Sequence, residues 1–131
     1  MTDQSKGLEK RKFKRIKVNF TAIFRIDKPI YVRMMVGNRE VDGALLDLSE
    51  GGLCILTPFD IPPATVLLIK FVLIDAQGPK EKEIAKMDVV GDVRYNILFA
   101  KKEHRLGVSF TQISDKDRKT IAEFVESRMP N

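Results

Sequence analysis

The chain has 131 residues, 44% of them hydrophobic and 31% charged, with a net charge of +5; that suits one globular domain with a short tail, whose core needs no disulfide or metal staple. One cysteine and one histidine exclude an intrachain disulfide and the usual zinc ligand sets, and the longest apolar-rich run, Val66 to Ile74, is cut by Lys70, so no helical membrane span is expected. The charge is uneven: residues 1–15 hold six basic and two acidic side chains and the remainder seventeen and sixteen, which suggests an anionic partner for the head.

Residues 1–9 lack periodic apolar positions and read as a flexible arm. Met1 to Lys14 has no apolar signal-peptide core, so a cytoplasmic location is expected. From Ile16 the pattern becomes strict alternation. Val18, Phe20, Ala22, Phe24 and Ile26 share one face, as in a half-buried strand that ends near Pro29. A second extended stretch is expected from Tyr31 to Val36, turning at Gly37-Asn38. A third strand runs from about Arg39 to Leu48 and stops at Ser49-Glu50-Gly51-Gly52. A fourth covers about Leu53 to Thr57. Three prolines make Pro58 to Pro63 a loop.

Val66 to Ile74 follows, with Leu67, Ile69, Phe71 and Leu73 on one face. After a charged turn at Gly78 to Glu83 comes a long strand, Met87 to Phe99. Its apolar face is expected to run through Met87, Val89, Val93, Tyr95, Ile97 and Phe99 around Gly91, where a bend would suit a barrel. A hairpin through Lys101 to His104 leads to Leu106, Val108 and Phe110. Six or seven short antiparallel strands argue for a barrel or sandwich. The barrel is expected over about residues 16–112. Ser114, followed by Asp115 and Asp117, looks like a helix cap with acidic residues in the first turn. Ile121, Phe124, Val125 and Met129 then keep helical spacing over about residues 115–128, stopped by Pro130. Cys54 reads as a small buried hydrophobe and His104 as a solvated turn residue.

Two segments are not needed for a barrel core. One is Arg11-Lys12-Phe13-Lys14-Arg15, with two arginines four apart just before the first strand. The other is Asp47-Leu48-Ser49-Glu50-Gly51-Gly52 at a strand end. Residues two apart on a strand face the same way, so Asp47 and Ser49 are expected on one side and Leu46 and Leu48 in the core. The two glycines allow a positive φ and close approach of a ligand. An arginine fork pairs with phosphate or with O6 and N7 of guanine. An aspartate accepts from the N–H groups of guanine's Watson–Crick edge. Together these groups suit an anionic ligand that carries guanine.

Arg11 and Arg15, followed about thirty residues later by Asp47, Ser49 and Gly52, resemble the motif pair of the PilZ family. The Arg105-Leu106-Gly107-Val108-Ser109-Phe110 strand and the capped helix fit it too. The resemblance covers nearly the whole chain and implies an all-β, six-stranded antiparallel barrel with one C-terminal α-helix, as a domain over residues 10–129. It implies cyclic di-GMP as the ligand, no cofactor, no metal and no catalysis. Arg11 and Arg15 would grip guanine edges and phosphates, Asp47 and Ser49 would fix a guanine, and Gly52 would shape the turn. Lys10 stands where many members have an arginine, and it keeps the charge without the fork. Lys10, Lys12 and Gly51 are auxiliary positions, and Lys12 and Lys14 raise the local potential. The expected role is a sensor that orders its basic arm on ligand binding and signals to an effector protein in motility, biofilm or related control. The competing reading is an adaptor of the same fold that works through protein contacts and binds nucleotide poorly. A nucleic-acid-binding barrel fits less well, because the body is near neutral and lacks a cluster of exposed aromatics.

Overall fold

The computed structural model describes residues 13–75 and 78–129. The elements are β1 (Arg15–Lys28), α1 (Ile30–Val36), β2 (Val41–Ser49), β3 (Gly52–Thr57), β4 (Val66–Asp75), β5 (Lys82–Ala100), β6 (Glu103–Gln112) and α2 (Asp115–Arg128). The six strands close into an antiparallel barrel in the order β1-β2-β3-β6-β5-β4. Closure comes from β4 returning to β1, with Phe71 opposite Ala22 and Val66 opposite Lys28. Its interior takes alternate residues: Ala22, Phe24 and Ile26 of β1, Leu67, Ile69, Phe71 and Leu73 of β4, and Leu106 and Val108 of β6.

Four local expectations are corrected. Tyr31 to Val36 is helical, not extended. Val32 and Val36 stand one helical turn apart and are both buried, and the polar and methionine positions between them are good helix formers. Gly37 ends α1 at φ 103°, its N–H donating to the Arg33 carbonyl at 2.8 Å; a side chain would strain this conformation.

In β2 the core positions are Leu45 and Leu48, while Leu46 is only half-buried. The pairing with β3 shifts register between Leu45 and Asp47, and that with β1 shifts between Lys17 and Phe20. Such a bulge inserts a residue and re-aims those beyond it. Without it, the alternation that buries Leu45 would carry Asp47 into the core.

The apolar face of β5 stops at Val93. Met87, Val89 and Val93 are buried, but a register shift between Val93 and Tyr95 turns the rest away, and Ile97 and Phe99 are exposed. His104 is likewise not a solvated turn residue. It lies in β6, half-buried, with Nδ1 2.9 Å from Asn96 Oδ1. Asn96 in turn donates to Asp60 Oδ1 at 2.8 Å and to the Ile61 carbonyl at 3.0 Å. This chain pins the loop after β3 to the β5–β6 hairpin.

The C-terminal helix forms as expected. Ser114 Oγ accepts from the Asp117 N–H at 3.1 Å, with two aspartates in the first turn. Ile121, Phe124 and Val125 are buried against the barrel. Phe124 meets Phe20 of β1 at 6.0 Å between ring centroids. Arg128 lies 4.1 Å above the Phe124 ring and reaches Asp75 at 3.0 Å. The expected helix stop at Pro130 lies outside the described residues.

Candidate functional site

The Asp47–Gly52 segment forms the tight turn between β2 and β3, and Ser49 holds it together. Its Oγ accepts from the N–H groups of Gly51 at 3.2 Å and Gly52 at 3.1 Å, and it donates to the Gly52 carbonyl at 3.3 Å. A hydroxyl has one donor and two acceptor positions, so all three are committed to the turn. The Gly51 carbonyl accepts from the Phe110 N–H at 2.9 Å, which ties the turn to β6.

Neither glycine of the turn has a positive φ; Gly37 alone among the described glycines does. The expected backbone freedom is not what these positions use. At Gly51 the Phe13 ring fills the space a side chain would take, and at Gly52 the Val108 carbonyl oxygen does. Both are glycines because something packs directly on the backbone. Phe13 therefore anchors the start of β1 over the turn, and Lys14 beside it reaches Glu126 of α2 at 3.7 Å across an exposed gap.

Arg15 enters opposite Ser49, and Lys17 opposite Asp47. Asp47 is opposite Cys54 of β3, Cys54 opposite Gly107 of β6, and Gly107 opposite Tyr95 of β5. One row thus crosses five strands on the outside of the barrel. Gly107 lets the Tyr95 ring lie flat over β6, where a side chain would collide with it.

Asp47 is the centre of the row and is only 8% exposed. Arg15 Nη1 stands 3.9 Å from its Oδ1, and Arg105 Nη2 lies 3.4 Å from its Oδ2. Both contacts are long for a charge-assisted hydrogen bond. Oδ1 is buried and has no hydrogen-bond partner among the described residues. Buried carboxylate oxygens are ordinarily satisfied, so this one has capacity for an incoming N–H donor. The two guanidinium groups are each more than a third exposed and remain able to meet an anion.

Arg105 also donates from Nε to Cys54 Sγ at 3.1 Å. Cys54 is buried as expected, yet it is part of this polar row and not simply an apolar filler. Burial raises the thiol above its ordinary 9.0, opposed by the hydrogen bond from Arg105. Burial, then the Cys54 sulfur, raise the Tyr95 phenol above its ordinary 10.0. The Cys54 contact raises the Arg105 guanidinium above its ordinary value. The folded chain thus holds the thiol and phenol protons more tightly than the unfolded one. Stability is fully present below the ordinary thiol value and is lost as pH rises through the folded values. Urea midpoints are expected to fall above about pH 9, and Cys54→Ala with Tyr95→Phe to flatten that fall; an unchanged slope counts against burial as the cause.

The structure brings Arg15, Asp47, Ser49, Gly51 and Gly52 to one end of the outer face. Lys10, Arg11 and Lys12, and the arm over 1–9, lie outside the described residues. Sequence reasoning missed Arg105 as a neighbour of Asp47 and Tyr95 as a neighbour of Cys54 and Arg15. The available signal was the two-residue spacing of Arg105 and Gly107 on a strand, which puts both on one face.

A closed six-stranded barrel with a capped helix and a guanidinium-flanked carboxylate beside its first hairpin defines the class of small antiparallel barrel domains. The chain matches the PilZ domain family over residues 9–127 and belongs to it. PilZ domains are binding and regulatory modules. Among solved structures, the chain resembles the Bacillus subtilis inhibitor of motility MotI/DgrA, with a TM-score of 0.68 and 11% identity, covering 90% of this chain and 50% of that one. It resembles the PilZ domain of Escherichia coli YcgR with c-di-GMP, with a TM-score of 0.58 and 15% identity, covering 89% of each. Borreliella burgdorferi PlzA in complex with c-di-GMP gives a TM-score of 0.58 at 15% identity, over 94% of this chain and 44% of that one. The chain therefore spans about half the length of MotI and of PlzA, and at these identities the likeness is one of fold. No curated protein sequence matches it. Among the described residues, no helix is long and apolar enough to cross a membrane.

Proposed function

We propose that this chain is a non-enzymatic, cytoplasmic receptor for cyclic di-GMP. The observation that carries the reading is the buried Oδ1 of Asp47, which has no hydrogen-bond partner among the described residues and lies between Arg15 and Arg105. Guanine's Watson–Crick edge offers N–H donors to such an oxygen. Its O6 and N7 accept from an arginine fork, as do the two phosphates. Arg11 and Arg15 would hold guanine edges and phosphates, with Arg105 as a third cation. Ser49 and Gly52 would contribute by holding the turn that presents Asp47, and Lys10, Lys12 and Gly51 would be auxiliary. The domain would span residues 10–129 and the arm residues 1–9.

Family membership and the fold shared with two structures that contain c-di-GMP support this reading. A calorimetric titration with cyclic di-GMP, with GMP and single-stranded DNA as competitors, tests it. Cyclic di-GMP is expected to bind and neither competitor to displace it at equal concentration. Heat from DNA alone would favour a nucleic-acid barrel. In the same reading, the ligand bridges the basic arm to the Asp47–Gly52 turn, and the combined surface is offered to an effector protein. Trypsin is expected to cut within residues 6–15 of the free protein and much more slowly at saturating cyclic di-GMP, with GMP protecting little. Equal cutting rates would remove the arm from the signal and leave the binding site standing.

A further inference from the structure

Strand β5 overshoots its neighbour. The β4–β5 ladder ends where Val66 faces Asp92, so no part of β4 lies beside residues 94–100. The reason is chemical. The Ala64 N–H donates to the Val93 carbonyl at 2.7 Å, and the Val93 N–H to the Thr65 carbonyl at 2.8 Å. The residues before Ala64 are Pro62 and Pro63, which have no N–H to continue a ladder, and Ala64 itself turns the chain aside at φ 73°. On its other side β5 stays paired with β6 as far as Ala100 opposite Glu103.

Beyond Val93, then, one edge of β5 meets no strand among the described residues. The same stretch carries Ile97, Leu98 and Phe99, each more than half exposed. Proteins ordinarily blunt such an edge with proline, charge or a covering element. Here the exposed charges of the stretch itself stand at its ends, Arg94 at one and Lys101 and Lys102 at the other, while the loop after β3 touches its middle, where Asn96 holds the Asp60 carboxylate and the Ile61 carbonyl.

We propose that this edge docks an extended segment of a partner protein, apolar at its centre and acidic at its ends, which adds a seventh strand beside β5. Main-chain groups of the segment would pair with the free edge, its apolar side chains would cover Ile97, Leu98 and Phe99, and its acids would meet the three cations. The charges argue against a second copy in this place. Antiparallel pairing of two copies along this stretch would bring Arg94 of each protomer towards the turn cations Lys101 and Lys102 of the other, and like charges brought together are destabilising. The backbone argues against a bilayer, because hydrocarbon cannot satisfy the unpaired N–H and C=O groups of this edge. The stretch also carries Tyr95, whose phenol hydrogen-bonds to Arg15 and Cys54, so the surface borders the candidate ligand site. It does not rest on the ligand reading above.

The test uses the full chain and a fluorescein-labelled peptide of about ten residues with a central run of valines flanked at both ends by glutamates, followed by anisotropy and amide hydrogen exchange. Binding is expected, with slowed exchange confined to residues 94–100 and the facing turn. A peptide with lysine in place of glutamate, and one with a central proline, are each expected to bind at least about tenfold more weakly. Leu98→Asp should weaken binding about as much without lowering the melting temperature, since the side chain is exposed. Lys101→Glu with Lys102→Glu should reverse the preference between the acidic and basic peptides. No binding, protection elsewhere, or an unreversed preference would overturn the proposal. So would self-association of the chain alone that protects residues 94–100, or burial of Phe99 in phosphatidylserine vesicles.

Discussion

Asp47→Ala is expected to weaken cyclic di-GMP binding at least tenfold while leaving the barrel folded. The carboxylate is buried and its Oδ1 has no hydrogen-bond partner among the described residues, so the acceptor it offers is available to a ligand. Losing a hydrogen bond to a charged group costs about 1.5–3 kcal/mol, and about 1.4 kcal/mol is already tenfold in affinity. Folding should tolerate the change because Arg15 and Arg105, the partners left behind, are each more than a third exposed and can be hydrated. Arg15→Ala should cost a similar factor through loss of the fork. Lys14→Ala should cost little, since Lys14 reaches away to Glu126 of α2 and can act on the ligand only through screened potential. Calorimetry on the folded variants decides this. Wild-type affinity in Asp47→Ala and Arg15→Ala would remove the site, and a loss in Lys14→Ala equal to theirs would show the contacts to be wrongly assigned.

Gly52→Ala is expected to destabilise the fold by about 3 kcal/mol or more, at the upper end for overpacking, and to lower the melting temperature on the order of 10 °C. The added methyl would collide with the Val108 carbonyl oxygen, with the backbone of Ser109 also close. Those atoms are fixed by the β3–β6 ladder, where Gly52 faces Ser109 and Leu53 faces Val108, so the collision is relieved only by moving a strand. Gly51→Ala should be much milder, because its obstacle is the Phe13 ring, a side chain that can swing aside. Gly78→Ala is the control: it is exposed and meets nothing closer than 3.9 Å. Thermal denaturation of the three variants gives the ranking. A stable Gly52→Ala protein that nevertheless fails to bind ligand would show instead that this glycine serves ligand approach.

Much of the architecture was legible in the chain. The alternation of Ala22, Phe24 and Ile26, and of Leu67, Ile69, Phe71 and Leu73, is a local property of strands buried on one face. The Ser114 cap and the Ile121, Phe124 and Val125 stripe are equally local. What failed was local pattern without partner information. Tyr31 to Val36 is too short for periodicity to separate helix from strand, and its burial of Val32 and Val36 emerges only once α1 lies against β1.

The candidate site divides the same way. The two segments stand out because charged groups and glycines at a strand end are not what a barrel core requires, and the resemblance to the PilZ motif pair makes Arg11, Arg15, Asp47, Ser49 and Gly52 the site residues. Their individual work was decided by the tertiary structure. Bulges in β1 and β2 turn Asp47 out of the core, and a bulge depends on two strands and cannot be read from one. Arg105 and Tyr95 reach Asp47 and Cys54 from strands more than forty positions distant in sequence, through barrel closure. Ser49 spends its hydroxyl on the turn, and Gly52 answers a carbonyl of β6. Sequence by itself determined which residue types were available at each strand end; strand order and register decided which of them meet, because antiparallel pairing sets residues distant in the chain a few ångströms apart.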